Sequence, residues 1–474
     1  MIPLAAGWVA AAMSGSIVAG EPARTFTGVS IDTRTLNAGE LYIAIKGERF
    51  DGAQFVEQAF AAGAGGAVVP LSATRTFRSG SSTARPHALP PEAVIVAVGD
   101  TTVALQSLAR AVRRDSGTKV VAITGSAGKT TTKEITSEFL SARYRVVKNR
   151  GNFNNHIGLP LSLVELTAQP EFAVVELGMN HAGEIATLVG IAEPDARVWT
   201  NVGEAHLGFF ASVDAIADAK AEILERASPS TLLVSNADDD RIVARVSRFR
   251  GRTVTFGIAR AADVRAAEIE DRGVAGMRAR VSTPRGPLTI DTPLVGRSNL
   301  ANILAAAAVA LEFDVPLDAI GDRARALRPA AHRGEVLALP SGLTIIDDSY
   351  NANPTATRRA LDVLASAAGE RRIAVLGEML ELGDASVALH EEVGRAAAHA
   401  RVDVLVAVGG APAAALAEAA VGAGLPRSAV RYFPTSDEAA DAAVATLRRG
   451  DVALVKGSRG IRTDRIVERL KERG

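Results

Sequence analysis

Residues 119–133 read KVVAITGSAGKTTTK: an apolar run, a glycine-bearing turn, and Lys-Thr opening a helical pattern. No other segment restricts the fold as strongly. The apolar run must be a buried strand, the turn must reverse the chain tightly, and the helix must return across a sheet. Gly125 and Gly128 leave the backbone bare, so its N–H groups can turn toward a polyphosphate. Lys129 offers a compact positive charge to the terminal phosphates, and the Thr130 hydroxyl can ligate Mg²⁺. Ser126, Ala127 and Thr131 complete the loop. One position departs from the common pattern: five residues before the Gly-Lys pair stands Ile123, where glycine is usual. The alternative is a plain glycine turn, and the agreement of strand, turn, GKT and helix weighs against it.

Composition narrows the class. A chain of 474 residues exceeds one core and suggests about three domains. Hydrophobic residues make up 47% and charged residues 22%, which describes a folded globular chain and not a disordered one. Zero formal net charge argues against nucleic acid or an anionic membrane as the main partner. Cysteine is absent, which excludes disulfides and thiolate metal sites and fits a reducing, cytoplasmic compartment. The apolar start carries no Lys or Arg before Arg24, so Pro3–Met13 reads as a short packed helix and not a signal peptide. No apolar run is long enough for a membrane span.

Only 8 of the 53 basic residues are Lys. In such a background a Lys can mark a site where a guanidinium will not serve. Lys119, Lys148 and Lys471 read as ordinary surface residues; Lys46, Lys129, Lys133, Lys220 and Lys456 are the ones to follow.

Three segments differ in texture. Residues 1–98 alternate short strands and helices, with a Pro-rich stretch at 84–93 expected as a surface loop. Residues 99–328 hold the phosphate loop, with apolar runs at 119–124, 173–177, 198–202 and 231–235 that predict a parallel sheet with crossover helices. Within them, 252–293 reads as a small β-rich insert. From 329 to 474 a second αβ rhythm predicts strands at 343–347, 372–376, 403–408 and 451–455.

Several positions can carry chemistry. Glu176 ends the run FAVVE, and an acid at a strand's carboxyl end beside a phosphate loop can hold Mg²⁺ or cap a turn. His206 lies in TNVGEAHLGFF and Lys220 in the next helix; each alone is more often structural, and their joint occurrence points toward function. Asn152, Asn154, Asn155 and His156 form a polar knot that suits either a side-chain-held turn or a ligand. In GRSNLANILAAAA, Ser298 is a candidate N-cap, and Asn299 and Asn302 share one helix face, fitting a nucleotide base or local bonding. The strand IIDDS delivers Asp347 and Asp348 to a polar loop before Pro354; such carboxylates can contact ribose or a metal-bound water, or only start a turn.

Taken in order, TGSAGKTTT, NFNNHIG, NVGEAHLGFF with its downstream AK, GRSNLANILAA and IIDDSYNANP resemble the Mur ligases, ATP-dependent amide-forming enzymes of peptidoglycan precursor synthesis. SIDTRTLNAGELYIAIKGERFDG, AVLGEMLELGDAS and LVKGSRG are most similar to the member that joins D-alanyl-D-alanine to UDP-N-acetylmuramoyl-tripeptide. The resemblance spans residues 28 to about 460. It implies an α/β chain of three domains: a mixed α/β UDP-binding N-terminal domain, a central P-loop parallel-sheet ATPase domain, and a C-terminal Rossmann-like domain. It implies ATP and two Mg²⁺ ions, and a monomer. It places Ser30, Thr33, Arg34, Lys46 and Asn155 along the UDP-sugar site. Thr130, Glu176, His206 and Lys220 match metal positions, with Lys220 carried as a carbamate. Asn299 and Asn302 match the adenine side, and Arg333 and Asp348 the C-terminal contribution to ATP. Lys129, His206, Lys220 and Asp348 are then the catalytic set, and Lys456, Ser458 and Arg459 lie near the incoming dipeptide. Three departures stand out: Ser298 where the family has His, Ala53 where His is common, and 461–467 in place of a Met-Glu pattern. The nearest alternatives are the diamino-acid-adding Mur ligase, whose DNPR segment is missing here, and folylpolyglutamate synthase. A non-catalytic nucleotide-binding protein and a nucleotide kinase are the more distant ones.

Overall fold

The structure is a computed structural model that describes every residue except Glu48, 75–89 and Gly474. Most of the Pro-rich stretch 84–93 therefore lies outside the described residues. By contacts the chain forms two compact units. Unit 1 comprises Met1–Ala122, Arg145–Met179 and Glu184–Asp195; unit 2 comprises Ile123–Tyr144, Asn180–Gly183 and Ala196–Gly474.

In unit 1 the expected N-terminal helix runs Ala6–Ala12 and buries Ala6, Val9 and Ala10. A five-stranded sheet has the order Ser16–Ala19, Val94–Val98, Gly66–Pro70, Leu41–Ile43, Val29–Ser30. Its first pair is antiparallel and the remaining pairs are parallel. The parallel strands read as unbroken apolar runs such as VIVAV, every residue buried, because both faces are covered. Helix Thr101–Ser116 begins where Asp100 accepts the N–H groups of Thr102 and Val103 and ends at Gly117, with φ 66°. Strands Val146–Lys148 and Phe172–Glu176 pair in parallel.

In unit 2 strands Ala196–Trp199, Leu232–Asn236, Arg252–Gly257 and Val264–Asp271 pair successively in parallel. Met277–Thr283 and Gly286–Thr292 then add to them antiparallel. Residues 252–293 are thus not a separate insert but the continuation of a sheet. In 277–283 the buried residues alternate with exposed Arg278, Arg280 and Ser282, the signature of an antiparallel strand wet on one face. Helix Gly296–Glu312 packs on helix Lys129–Leu140, and its fully buried Ala305–Ala308 run keeps the helix slim where it is enclosed. That helix starts from Val295 without a side-chain cap, so Ser298 sits inside its first turn and is not the N-cap.

The C-terminal sheet of unit 2 has the order Glu335–Ala338, Thr344–Asp348, Asp451–Lys456, Arg371–Gly377, Val404–Val408, Val430–Phe433. All pairs are parallel except the first. The four expected strands are present, joined by two half-buried edge strands whose mixed sequences hid them. Period-two alternation covers both faces: Ile345, Ile373, Val375 and Val455 enter one core, Ile346, Ala374, Leu376 and Leu454 the other. Among the described residues no helix is long and apolar enough to cross a membrane.

Candidate active site

The phosphate loop has the expected frame. Strand Lys119–Thr124 leads to Gly125, with φ 154°, and Gly128, with φ 80°, immediately precedes helix Lys129–Leu140. Neither glycine is replaceable: a Cβ at Gly125 would meet Thr200 Oγ1 at 2.0 Å, and one at Gly128 would meet Asn302 Oδ1 at 2.5 Å. Lys129 folds back so that its Nζ donates to Gly125 O at 2.8 Å. No side chain caps the start of this helix at Gly128; N–H groups of a helix's first turn have no partner within the helix, which suits them to an anion.

One expectation is corrected. The N–H groups of Ser126 and Ala127 do not face outward; they donate to Asn201 O at 3.0 Å and Asn201 Oδ1 at 2.9 Å. Asn201 Nδ2 and Thr200 Oγ1 both donate to Ala127 O, and Ser126 Oγ donates to Gly203 O and accepts from Gly203 N–H. The loop is strapped in this way to 200–203. Thr200 and Asn201 open the TNVGEAH motif, and that adjacency was the only sequence signal for this role.

His206 and Lys220 both follow this strap. His206 has φ 64°, and its Nδ1 lies 2.6 Å from Glu381 Oε2. A carboxylate only accepts, so Nδ1 carries the proton and Nε2 is the ring's donor atom for a ligand. This hydrogen bond outweighs burial, which acts in the opposite direction, and holds the Glu381 carboxyl below its ordinary range. Lys220 occupies the last turn of helix Val213–Ala221, which starts where Ser212 Oγ accepts Ala215 N–H. Its side chain is buried, and desolvation, reinforced by the Lys129 charge, lowers the amine's pKa well below that of a free lysine. A neutral buried amine is the species that adds CO₂, and the resulting carbamate supplies the oxygen donors that a hard cation prefers. By their chemistry a histidine Nε2 and a carbamate oxygen are both donor atoms that a divalent ion accepts.

Asn299 and Asn302 share a face, as expected, and meet each other: Asn302 Nδ2 donates to Asn299 Oδ1 at 3.3 Å. Asn302 Oδ1 also accepts from Thr132 Oγ1 at 3.2 Å, and Asn299 Nδ2 donates to Val295 O at 2.9 Å. Asn302 thereby buttresses the loop at Gly128.

The C-terminal loops bring their residues together. Lys456, 3% exposed, donates to Asp348 Oδ2 at 2.6 Å and to Asn351 O at 2.9 Å. Its neighbour Asp347 is fully buried, 2.8 Å from His332 Nδ1 and accepting Ser349 Oγ–H at 2.6 Å. Arg333 stacks on the Tyr350 ring at 4.1 Å and Arg459 lies 5.6 Å from the same ring. Ser458 is buried; its hydroxyl accepts Leu380 N–H at 2.9 Å and donates to Ala352 O at 3.4 Å. His332, Tyr350 and Glu381 were not singled out from sequence, since a partner far along the chain leaves no local pattern.

In unit 1, Ser30 ends strand Val29–Ser30 and Lys46 follows the adjacent parallel strand Leu41–Ile43, so both stand at one carboxyl edge, where α/β sheets bind ligands. Arg34 pairs with Asp32 at 2.6 Å, and that hydrogen bond draws the Asp32 carboxyl down to about 2. Thr33 lies in the turn between them. Glu176 is buried at the end of its strand, and its Oε1 accepts Asn154 Nδ2–H at 2.7 Å. Asn155 Oδ1 accepts the N–H groups of Ile157 and Gly158 at the start of helix Gly158–Val164. The polar knot is therefore a turn held by Asn side chains, one of which reaches the acidic residue.

A phosphate loop that folds its lysine over the turn, within electrostatic reach of a buried lysine, defines a P-loop enzyme of nucleotide-triphosphate chemistry. Three family models identify which: "Mur ligase family, catalytic domain" matches residues 25–113, "Mur ligase middle domain" 123–310, and "Mur ligase, glutamate ligase domain" 332–459. The chain belongs to the Mur ligase family, ATP-dependent ligases that form C–N bonds, and has its three-domain architecture. A UDP-N-acetylmuramoyl-tripeptide–D-alanyl-D-alanine ligase from Bacillus subtilis (strain 168) is 35% identical over 446 residues, covering 94% of this chain and 93% of its own. The ligase of the same description from Escherichia coli (strain K12) is 36% identical over 452 residues, 95% of each chain. A crystal structure of MurF from Acinetobacter baumannii superposes with TM-score 0.87 at 32% identity, covering 99% of both chains.

Proposed function

We propose that this chain joins D-alanyl-D-alanine to UDP-N-acetylmuramoyl-tripeptide with cleavage of ATP to ADP and phosphate. The carrying observation is similarity along nearly the whole chain to relatives described by that reaction. A carboxylate does not acylate an amine unaided. The tripeptide's terminal carboxylate attacks the γ-phosphorus of ATP, giving an acyl phosphate and ADP. The dipeptide amine then attacks the acyl carbon, and the tetrahedral adduct expels phosphate. Phosphoryl transfer rests on positioning and charge neutralisation. Lys129 neutralises the β- and γ-phosphates once they displace its bond to Gly125. Asn302 keeps Gly128 in its left-handed conformation beneath them.

Thr130, Glu176, His206 and carbamylated Lys220 are assigned to Mg²⁺, His206 and Lys220 to a second ion. When bound, such ions supply charge neutralisation for the phosphates and the acyl carboxylate. Ser30, Thr33, Arg34, Lys46 and Asn155 are assigned to the UDP-sugar, and Asn299 and Asn302 to the adenine side. Arg333 and Asp348 are assigned to ATP, and Lys456, Ser458 and Arg459 to the dipeptide. Asn302 and Ser458 also bond to neighbouring residues, Asn302 to Thr132 and Asn299, and Ser458 to Leu380 and Ala352. The domains are taken as 1–98, 99–328 and 329–474.

The test is phosphate release from ATP with UDP-N-acetylmuramoyl-tripeptide, with and without D-alanyl-D-alanine, and mass spectrometry of the product. Dipeptide-dependent phosphate and a product heavier by the dipeptide minus water are expected. Turnover only with the shorter precursor and a free diamino acid would move the assignment one step back.

A further inference from the structure

We propose that Glu381 is a positioning residue that holds the His206 imidazole with its proton on Nδ1 and its Nε2 directed to a divalent cation. The inference rests on the reading of His206 as a metal ligand. Four observations carry it. The Glu381 carboxylate lies 2.6 Å from Nδ1, and since it only accepts, it selects the tautomer. The two loops are also joined through their backbones, Gly208 N–H donating to Glu381 O at 2.8 Å. They approach so closely that a Cβ on Gly208 would lie 2.9 Å from Gly383 N, and one on Gly383 2.8 Å from Gly208 Cα. Finally, His206 and Glu381 both sit in the left-handed region, with φ 64° each, a conformation that side-chain-bearing residues adopt only when the surroundings impose it.

Energy alone does not account for the pair. The Glu381 side chain is 48% exposed, and an ion pair so open to water adds little stability. Orientation is what it can provide. Histidines that bind metals donate their other ring N–H to a carboxylate or carbonyl, which fixes the ring and raises the basicity of the ligating nitrogen. Here the carboxylate comes from the segment beyond residue 329, so a histidine of the middle segment is aimed by the C-terminal one. A second link runs the same way: Glu204, two residues before His206, accepts from Arg358 at 3.0 Å and from Thr355.

The test uses the full chain with ¹⁵N-labelled histidine, loaded with a non-hydrolysable ATP analogue; imidazole spectra are recorded with diamagnetic Mg²⁺, and Mn²⁺ is the probe ion in separate binding titrations. His206→Ala assigns the His206 resonances among the seven histidines. Glu381→Ala is expected to abolish the Nδ1–H tautomer signature of His206. It should also weaken the second Mn²⁺ by about tenfold or more, leaving the first unchanged. Glu381→Gln keeps an acceptor oxygen and should restore part of both. A Glu381→Ala protein with the wild-type imidazole signature, or with wild-type binding of the second Mn²⁺, overturns the proposal. Unchanged Mn²⁺ binding in His206→Ala would instead overturn the metal reading of His206, while the imidazole resonances still report whether Glu381 holds the ring.

Discussion

Lys220 shows how one side chain can be kept at a cost to the fold. Its amine is buried and charged only at an energetic penalty, so the folded chain releases a proton that the unfolded chain keeps. The sign follows: the unfolded state binds more protons below the ordinary lysine value of 10.5, so this residue's contribution to stability rises with pH toward that value. Lys220→Met removes the penalty and keeps the packing. In CO₂-free buffer at neutral pH the variant should be more stable by about 0.5–2 kcal/mol, the range usual for relieving such a site, and should have lost turnover. Its advantage in urea unfolding should shrink as the pH is raised toward 10. A variant less stable than wild type at neutral pH would show that the amine has partners worth more than its burial. At Gly128 the constraint is steric. Gly128→Ala places a Cβ on Asn302 Oδ1 in a left-handed residue, so the loop must deform, at a cost of about 1–3 kcal/mol in ATP-analogue affinity measured by calorimetry.

At the scale of elements, the helix Ser386–His399 is tied to the loop before it by a single buried imidazole. His390 Nε2 accepts Met379 N–H at 2.9 Å and its Nδ1 donates to Ser386 O at 2.6 Å, an arrangement open only to the neutral ring. Burial is the main cause of its lowered pKa. Because the folded value lies below the unfolded value of 6.5, the stabilisation is complete above pH 6.5 and is lost as the pH falls through the folded value. Urea midpoints should therefore drop below pH 6.5 with up to about 1.4 kcal/mol per pH unit from this residue, and His390→Gln should remove that component of the slope. Equal slopes in both proteins would assign the acid sensitivity elsewhere. His390 also illustrates what the sequence conceals. Strands such as KVVAIT and DVALVK are legible because burial on both faces makes them continuous apolar runs. The edge strands Glu335–Ala338 and Val430–Phe433 are not, since a half-covered edge needs no such pattern. The phosphate loop was readable from its glycines and lysine. Its strap through Thr200 and Asn201, and the pairing of His206 with Glu381, were not, because those partners are brought in by the topology and not by spacing.

For the molecule as a whole, the family segments and the compact units divide the chain differently. The middle family segment covers 123–310, yet Arg145–Met179 and Glu184–Asp195 belong to unit 1 with the N-terminal sheet. The residues assigned to the UDP-sugar, from Ser30 to Asn155, all fall in unit 1. The phosphate loop, Lys220 and every C-terminal residue assigned to ATP and dipeptide fall in unit 2. Each unit carries buried apolar clusters of its own, as Tyr42, Val56, Val69 and Ile95 do in unit 1 and the two cores of the C-terminal sheet do in unit 2. A chain so divided need not unfold in one step. Scanning calorimetry should resolve more than one transition. A ligand stabilises only the unit that binds it, by about 4 kcal/mol at a thousand times its dissociation constant. The UDP-linked precursor should therefore raise the transition of unit 1, and an ATP analogue added without Mg²⁺, which leaves Glu176 of unit 1 out of play, the other, with both shifts absent for a ligand that neither unit recognises. If the two ligands instead moved a single transition by equal amounts, the units would be unfolding as one cooperative body, and the assignment of the two substrates to separate units would have to come from site variants alone.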